Sequence, residues 1–372
     1  MASKKLKRVS NLCCMTVGIF FMFSGFVKVI DPWGTALKVN EYLSIYGMEW
    51  FLPASMPFSI WMCGAELMMG LMLFFRVRMR LVSICSLLSM TFFTTLTFLS
   101  ATWIPVEDCG CFGDALKLSP WATFIKNVVV LPFVMIIWYR YRCDKIFVFK
   151  RIEMALTCLF FTIAMGIGVY CYYTLPLIDF LPYKKGANIY EMMQAQHDAV
   201  DEGENQEEYV LVYRNRSTGD LQEFSIDDEQ WQDDSKWEWV ETRVVNETPT
   251  IHALVSEFSV SDVEGDITQE ILTRQGKVYM ICVTSLSELG ESCERRLREV
   301  VAHAQQEGAY VVCLTPEPLR DVTWRAFDNS EPVRCYNIDA TVLKTMLRAE
   351  NGLVVLSDGV IDGKYNCRRI KL

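Results

Sequence analysis

The first half of the chain alternates between long apolar segments and short polar connectors, which predicts membrane-spanning helices. A helix needs about 20 apolar residues to cross a bilayer. Five segments reach that length, at approximately residues 10–30, 55–75, 81–103, 121–139 and 152–175. The pattern therefore predicts an α-helical membrane bundle over residues 1–180, with five transmembrane helices.

In the second half of the chain, apolar residues occur in short runs instead of long segments. Residues 181–256 are acidic, with brief alternating runs at 209–213 and 237–240, and the run 216–220 is typical of a hairpin turn. We expect a small β-rich linker subdomain there. Residues 257–372 predict buried strands at 278–283, 310–314 and 352–356, helices at 294–306 and 340–349, and a final strand at 360–365.

The charge balance differs between the two halves. Residues 1–180 carry 16 Lys and Arg against 10 Asp and Glu, whereas residues 181–372 carry 20 against 35. This asymmetry indicates two domains in different surroundings. The acidic half has no basic patch, so we expect no nucleic-acid partner.

The basic residues also orient the spans. Twelve of the sixteen bases of the first half fall before span one, between spans two and three, or between spans four and five. The positive-inside rule makes those connectors cytoplasmic. We therefore expect a cytoplasmic N-terminus and a C-terminal domain on the outer, oxidising side of the membrane. A cleaved signal peptide is the alternative for residues 1–30, but its apolar core would be unusually long and no small-residue cleavage site follows.

The polar connector between spans three and four contains Cys109 and Cys111, one residue apart. Such a pair can cycle between dithiol and disulfide, form a structural link, or hold a metal. The intervening Gly110 suits the unusual backbone angles of so small a ring. We take redox chemistry as the leading hypothesis, with Cys109 and Cys111 as the catalytic residues.

Ionisable residues inside the spans are the next candidates. Glu66 lies near the middle of span two, and Lys126 lies at a similar depth in span four. A carboxylate in lipid is usually paired or functional, so we predict an intramembrane Glu66–Lys126 pair. Lys28, at the outer end of span one, is expected to reach the interface.

Four segments together resemble the DoxX/MauE superfamily of small four-helix membrane proteins. They are 23–34, 65–70, 108–114 and 124–127, and Cys-Gly-Cys-Phe-Gly is the most specific of their motifs. MauE proteins are linked to maturation of a disulfide-rich periplasmic enzyme of methylamine utilisation, and DoxX-type proteins to quinone or thiol redox chemistry. The resemblance covers about residues 10–140 and implies a redox or maturation role, with a quinone as a candidate cofactor.

Residues 257–372 resemble a thioredoxin-like α/β domain that lacks both hallmarks of the active site. The turn after the first strand carries Ser285 and Ser287 instead of two cysteines, and Asn351 stands where a cis-proline is expected. Cys282 lies inside a strand, so burial is expected to keep it unreactive. We therefore expect a degenerate, non-catalytic module.

The outer domain has five cysteines, so at most two internal bridges can form and one thiol is left over. Cys282 and Cys313 are interpreted as core residues, whereas Cys293 and Cys367 are expected to be exposed; Cys335 is the fifth, and no pairing follows from the sequence. The three histidines have no spacing typical of a metal site, so we expect none.

Two functions fit these features. The first is thiol–disulfide exchange between the C-x-C pair and a periplasmic client or redox protein, with a quinone accepting the electrons. The second is a non-enzymatic membrane scaffold whose outer domain recruits a partner protein.

Overall fold

The computed structural model describes most of the chain. The described residues are 2–103, 110–116, 118–144, 150–201, 209–216, 221–225, 231, 236–244, 258–286, 289–318, 323–325 and 332–370. Cys109, Ser287 and the 217–220 part of the predicted hairpin turn lie outside them.

Five helices in this part of the chain are long and apolar enough to cross a membrane. They are Ala2–Ile30 (α1), Ser55–Phe75 (α3), Met79–Thr102 (α4), Pro120–Tyr141 (α5) and Arg151–Tyr173 (α6). The prediction of five spans is thereby confirmed, with bounds that differ by a few residues. The apolar side chains that remain exposed on these helices suit a lipid surface.

The connector after α1 contains a helix that the sequence analysis missed. Pro32–Ile45 (α2) follows α1 directly, and a 3₁₀ turn at Glu49–Ala54 leads into α3. Asp31 caps α2 by accepting a hydrogen bond from the Gly34 N–H at 3.2 Å, and Pro32 is its first residue. Asp followed by Pro is a helix-start signal, so the connector between the first two spans is largely helical.

Within its described residues, the acidic segment contains a helix and a small sheet. The helix is Ile189–Asp201 (α7), and the strands are Tyr209–Asn215 (β1), Leu221–Ser225 (β2) and Trp237–Val244 (β3). Both β2 and β3 pair antiparallel with β1. The expected alternating strands are thus present.

A larger sheet and the helices that pack on it occupy the C-terminal part of the chain. Its elements are Val260–Ser261 (β4), Thr268–Leu272 (α8), Lys277–Val283 (β5), Glu291–Gln306 (α9), Tyr310–Thr315 (β6), Thr323–Arg325 (β7), Pro332–Ile338 (β8), Ala340–Leu347 (α10), Asn351–Ser357 (β9) and Val360–Asn366 (β10). The order of the strands across the sheet is β10-β9-β5-β6-β8-β4, and β7 also pairs with β8. Within it, β5, β6 and β8 are parallel, and β9 and β10 form the antiparallel hairpin.

Two apolar layers cover this sheet. One contains Leu297 and Val301 of α9, and the other contains Leu343 and Met346 of α10. Every strand and helix predicted between 278 and 365 is present, whereas β8 was missed because its apolar positions alternate with polar ones over a short run.

The outer cysteines differ in part from expectation. Cys293 and Cys367 form a disulfide with a Cα–Cα distance of 5.3 Å, and both are buried, so the expected exposure was wrong. Apolar side chains around the start of α9 and the end of β10 exclude water from this bond. Cys282 and Cys313 are fully buried, as predicted.

Candidate functional site in the membrane bundle

The loop around Cys111 is a tight turn between two glycines. Gly110 and Gly113 have φ angles of +59° and +54°, which glycine adopts without strain, and the Gly113 N–H donates to the Gly110 carbonyl at 3.1 Å. Cys111 has a free thiol and is half-buried. Its predicted partner Cys109 lies outside the described residues, so the geometry of the pair stays a prediction.

The bundle holds this loop at two points. The Ser24 hydroxyl of α1 donates to the Cys111 carbonyl at 2.6 Å. The buried Phe112 ring packs edge-on against Phe20 and tilted against Phe23. The Lys126 ammonium of α5 lies 4.5 Å from the centre of the Phe112 ring, within cation–π range.

Cys111 lines a cavity of about 460 Å³ inside the bundle. The walls are mostly apolar and aromatic, and they come from α1 to α5 and the C-x-C loop. Polar groups are few, and among the side chains that line the cavity are Lys28, Glu66, Lys126 and Asn127. A largely apolar pocket with a few fixed polar groups is typical of a small-molecule or cofactor site.

Glu66 pairs with Lys28 and not with the predicted Lys126. The Lys28 ammonium donates to the Glu66 carboxylate at 2.7 Å, and both side chains are almost fully buried. Lys28 therefore does not reach the interface as expected. The reason is the close approach of α1 and α3 at Gly25 and Gly70, which brings Lys28 beside Glu66, whereas Lys126 faces aromatic rings.

Comparison with known families bears on this same region. Residues 6–140 match the family model described as "Methylamine utilisation protein MauE". The N-terminal part of the chain is therefore similar to MauE membrane proteins. No curated protein and no solved structure matches the chain. Cys111, Glu66, Lys28 and Lys126 all fall within the MauE-like region, whereas the outer sheets lie beyond it.

The outer domain contacts the MauE-like region through Arg348. This side chain is 2% exposed, and its guanidinium pairs with Asp31 at 3.2 Å and with Asp114. Asp31 precedes α2, and Asp114 belongs to the C-x-C loop. Burial raises the pKa of the Asp31 carboxyl, although the Arg348 guanidinium acts in the opposite direction. Sequence reasoning missed this cluster because nothing local connects residues more than 200 positions apart.

The turn after β5 has no thiol available for exchange among its described residues. The Thr284 N–H donates to the Asn351 side-chain oxygen at 3.1 Å, and the Ser285 hydroxyl donates to Glu317 at 2.6 Å. Burial raises the pKa of Cys282 to about 12, so this thiol is neutral at physiological pH. The described residues also contain no group of three or more His, Cys, Asp or Glu side chains that could hold a metal.

Proposed function

We propose that the protein is a membrane thiol–disulfide redox component that acts in protein maturation on the outer face of the bacterial inner membrane. The observation that carries this proposal is that Cys111 lines the bundle cavity. A cysteine beside a largely apolar cavity is suited to electron exchange with an apolar carrier. The methylamine-utilisation name of the matching family favours a maturation client in that metabolism.

The residues around the cavity fit a quinone. Its aromatic and aliphatic walls suit a ring with an apolar tail, and Lys126 and Asn127 carry N–H donors that suit quinone oxygens. A bound quinone would supply a two-electron acceptor. The Cys109 and Cys111 thiols would lose two protons and two electrons and form one S–S bond, and the quinone would take them up as quinol. Exchange with a client dithiol would then reduce the pair and oxidise the client.

Two features support the proposed orientation. The basic connectors favour a cytoplasmic N-terminus. The Cys293–Cys367 disulfide favours an oxidising compartment for the C-terminal domain.

The outer domain has the role of a degenerate thioredoxin-like module in this proposal. Its parallel β5–β6 pair, the helix between them and the closing β9–β10 hairpin support that likeness. The contact between the turn at Thr284 and Asn351 supports it further, because these are the two places where a thioredoxin carries its active site.

Turnover of the purified full chain tests the redox proposal. The protein in lipid nanodiscs with a quinone would be reduced and desalted, and quinol formation and thiol loss would be followed together. We expect two thiols lost per quinol formed, with Cys109→Ser and Cys111→Ser both inactive. Cys158→Ser, at an exposed thiol of α6, is the matched control and should retain activity.

A client-maturation assay on the same variants, beside the quinol measurement, addresses the scaffold alternative. The absence of a usable thiol in the described part of the outer turn favours recruitment of a partner by that domain. If Cys111→Ser matures a client as well as the parent does, and the parent forms no quinol, the scaffold replaces the redox function.

A further inference from the structure

Arg348 joins the outer domain to the loop that carries Cys111. It caps the end of α10 in the left-handed conformation, with φ at +54°, and its N–H donates to the Lys344 carbonyl at 2.9 Å. This geometry directs a fully buried guanidinium away from its own domain, toward Asp31 and Asp114. Removing it would take this cation away from the buried Asp31 carboxylate and the partly buried Asp114 carboxylate.

Asp114 lies three residues after Cys111, so the arginine holds the redox loop itself. The loop's contacts at Ser24 and Phe112 both come from within the bundle. Between two glycines with positive φ, the backbone has little rigidity of its own, so external contacts decide where the thiol lies. The Arg348–Asp114 ion pair is a contact that the outer domain provides to this loop.

Helix α2 packs closely against the ion pair between Arg348 and Asp114. A Cβ atom at Gly34 would meet the Asp114 carboxylate, with Asp31 and the Arg348 guanidinium 3.2 and 3.3 Å away. The absence of a side chain at Gly34 therefore makes room for the ion cluster beside the loop.

We propose that Arg348 is a positioning residue through which the outer domain sets the place and accessibility of the Cys111 thiol. This inference rests on the proposed redox function for its consequence in turnover. A displacement of the outer domain, such as client binding could produce, would release Asp114 and change the reactivity of Cys111.

A matched pair of variants separates positioning from general stability. Arg348→Met removes the contact to the loop. Lys364→Met removes another buried cation of the outer domain, which pairs with Asp179 after α6 and does not touch the loop. Both variants would be studied as full chains in nanodiscs, with a redox-independent readout. That readout is the alkylation rate of reduced Cys111 by iodoacetamide, followed by mass spectrometry.

We expect Arg348→Met to accelerate the alkylation of Cys111 by about tenfold. The same variant should lower kcat for quinol formation by a similar factor and leave KM for the quinone unchanged. Lys364→Met should stay within about twofold of the parent in all three quantities. Arg348→Lys should recover part of the effect, because an ammonium keeps the positive charge but lacks the planar array of donors of the guanidinium.

Asp114→Asn provides the second variant, in case Arg348→Met does not fold. It weakens only the loop side of the cluster and should also accelerate alkylation. Equal rates in the parent, Arg348→Met and Asp114→Asn would overturn the inference, as would an equal acceleration in Lys364→Met. A parent that forms no quinol, combined with faster alkylation in Arg348→Met, would remove the redox function and leave the positioning role supported.

Discussion

The Lys28 ammonium of α1 lies 2.7 Å from the Glu66 carboxylate of α3, inside the membrane bundle and beside the cavity that Cys111 lines. The two charges neutralise one another where water is scarce. The pair therefore fixes two helices against each other and gives the cavity a polar end without a net charge.

Glu66→Gln should destabilise the bundle by about 3–5 kcal/mol, because it leaves the Lys28 cation buried and uncompensated. Adding Lys28→Met should recover much of this loss. Thermal unfolding of the full chain in detergent measures both effects. Lys126→Met is the control, since its ammonium faces Phe20 and Phe112. Rescue of Glu66→Gln by Lys126→Met instead would restore the pairing predicted from the sequence.

Local sequence patterns predicted the helices and strands of this protein better than they predicted which residues contact one another. The five spans and the strands of the larger sheet follow from runs of apolar residues, which each segment carries by itself. The partner of Glu66 depends on which helices touch, and Lys28, at the outer end of span one, was expected to reach the interface instead. The segments of the family resemblance contained Lys28, Glu66 and Lys126 alike, so they did not distinguish between the two lysines either.

The contacts of Cys111 show the same limit. The C-x-C motif identified the loop, and the glycines within it predicted unusual backbone angles. The Arg348 contact could not be predicted, because it depends on how an outer domain docks on the bundle. The Asp31-Pro32 start of α2 was a missed feature with a local signal.

The close contact between α1 and α3 predicts a strong response to a single methyl group. A Cβ at Gly25 would collide with the backbone of Leu67. Gly25→Ala should therefore lower the unfolding free energy by about 1–3 kcal/mol, since backbone cannot move aside as a side chain can. Gly166→Ala in α6 is the matched control, because nothing lies within 4 Å of its added atom. Equal melting temperatures for the two variants would contradict this packing.

The Cys293–Cys367 disulfide should contribute to the stability of the C-terminal part. Replacing both cysteines by alanine should cost about 2–4 kcal/mol, because the unfolded chain regains freedom across the 74-residue separation of the two cysteines. Dithiothreitol should lower the melting temperature of the parent and leave the double variant unchanged. A peptide map without a linked 293–367 pair in unreduced protein would disprove the bond.

The raised pKa of Cys282 predicts an unreactive thiol. With a pKa of about 12, about one thiol in ten thousand is ionised at pH 8, against roughly a tenth for an ordinary cysteine. Iodoacetamide should not modify Cys282 at pH 8 until the domain unfolds, and Cys282→Ala should leave quinol formation unchanged. Because folding raises this pKa, the thiol's contribution to stability is complete below pH 9 and is lost progressively as pH rises toward 12. Rapid alkylation of the native protein at pH 8 would move the chemistry to the outer domain.

The proposed orientation predicts opposite labelling of two cysteines in intact cells. Cys111 follows span three, on the predicted outer side, whereas the exposed Cys143 lies in the basic connector between spans four and five. After mild reduction of spheroplasts, a membrane-impermeant maleimide should label Cys111 and leave Cys143 unmodified, because the reagent cannot reach the cytoplasm. Permeabilised cells should show both labels, which controls for the half-buried state of Cys111. Labelling of Cys143 but not Cys111 before permeabilisation would invert the topology and place the outer sheet, with its disulfide, in a reducing compartment where that bond is rarely kept.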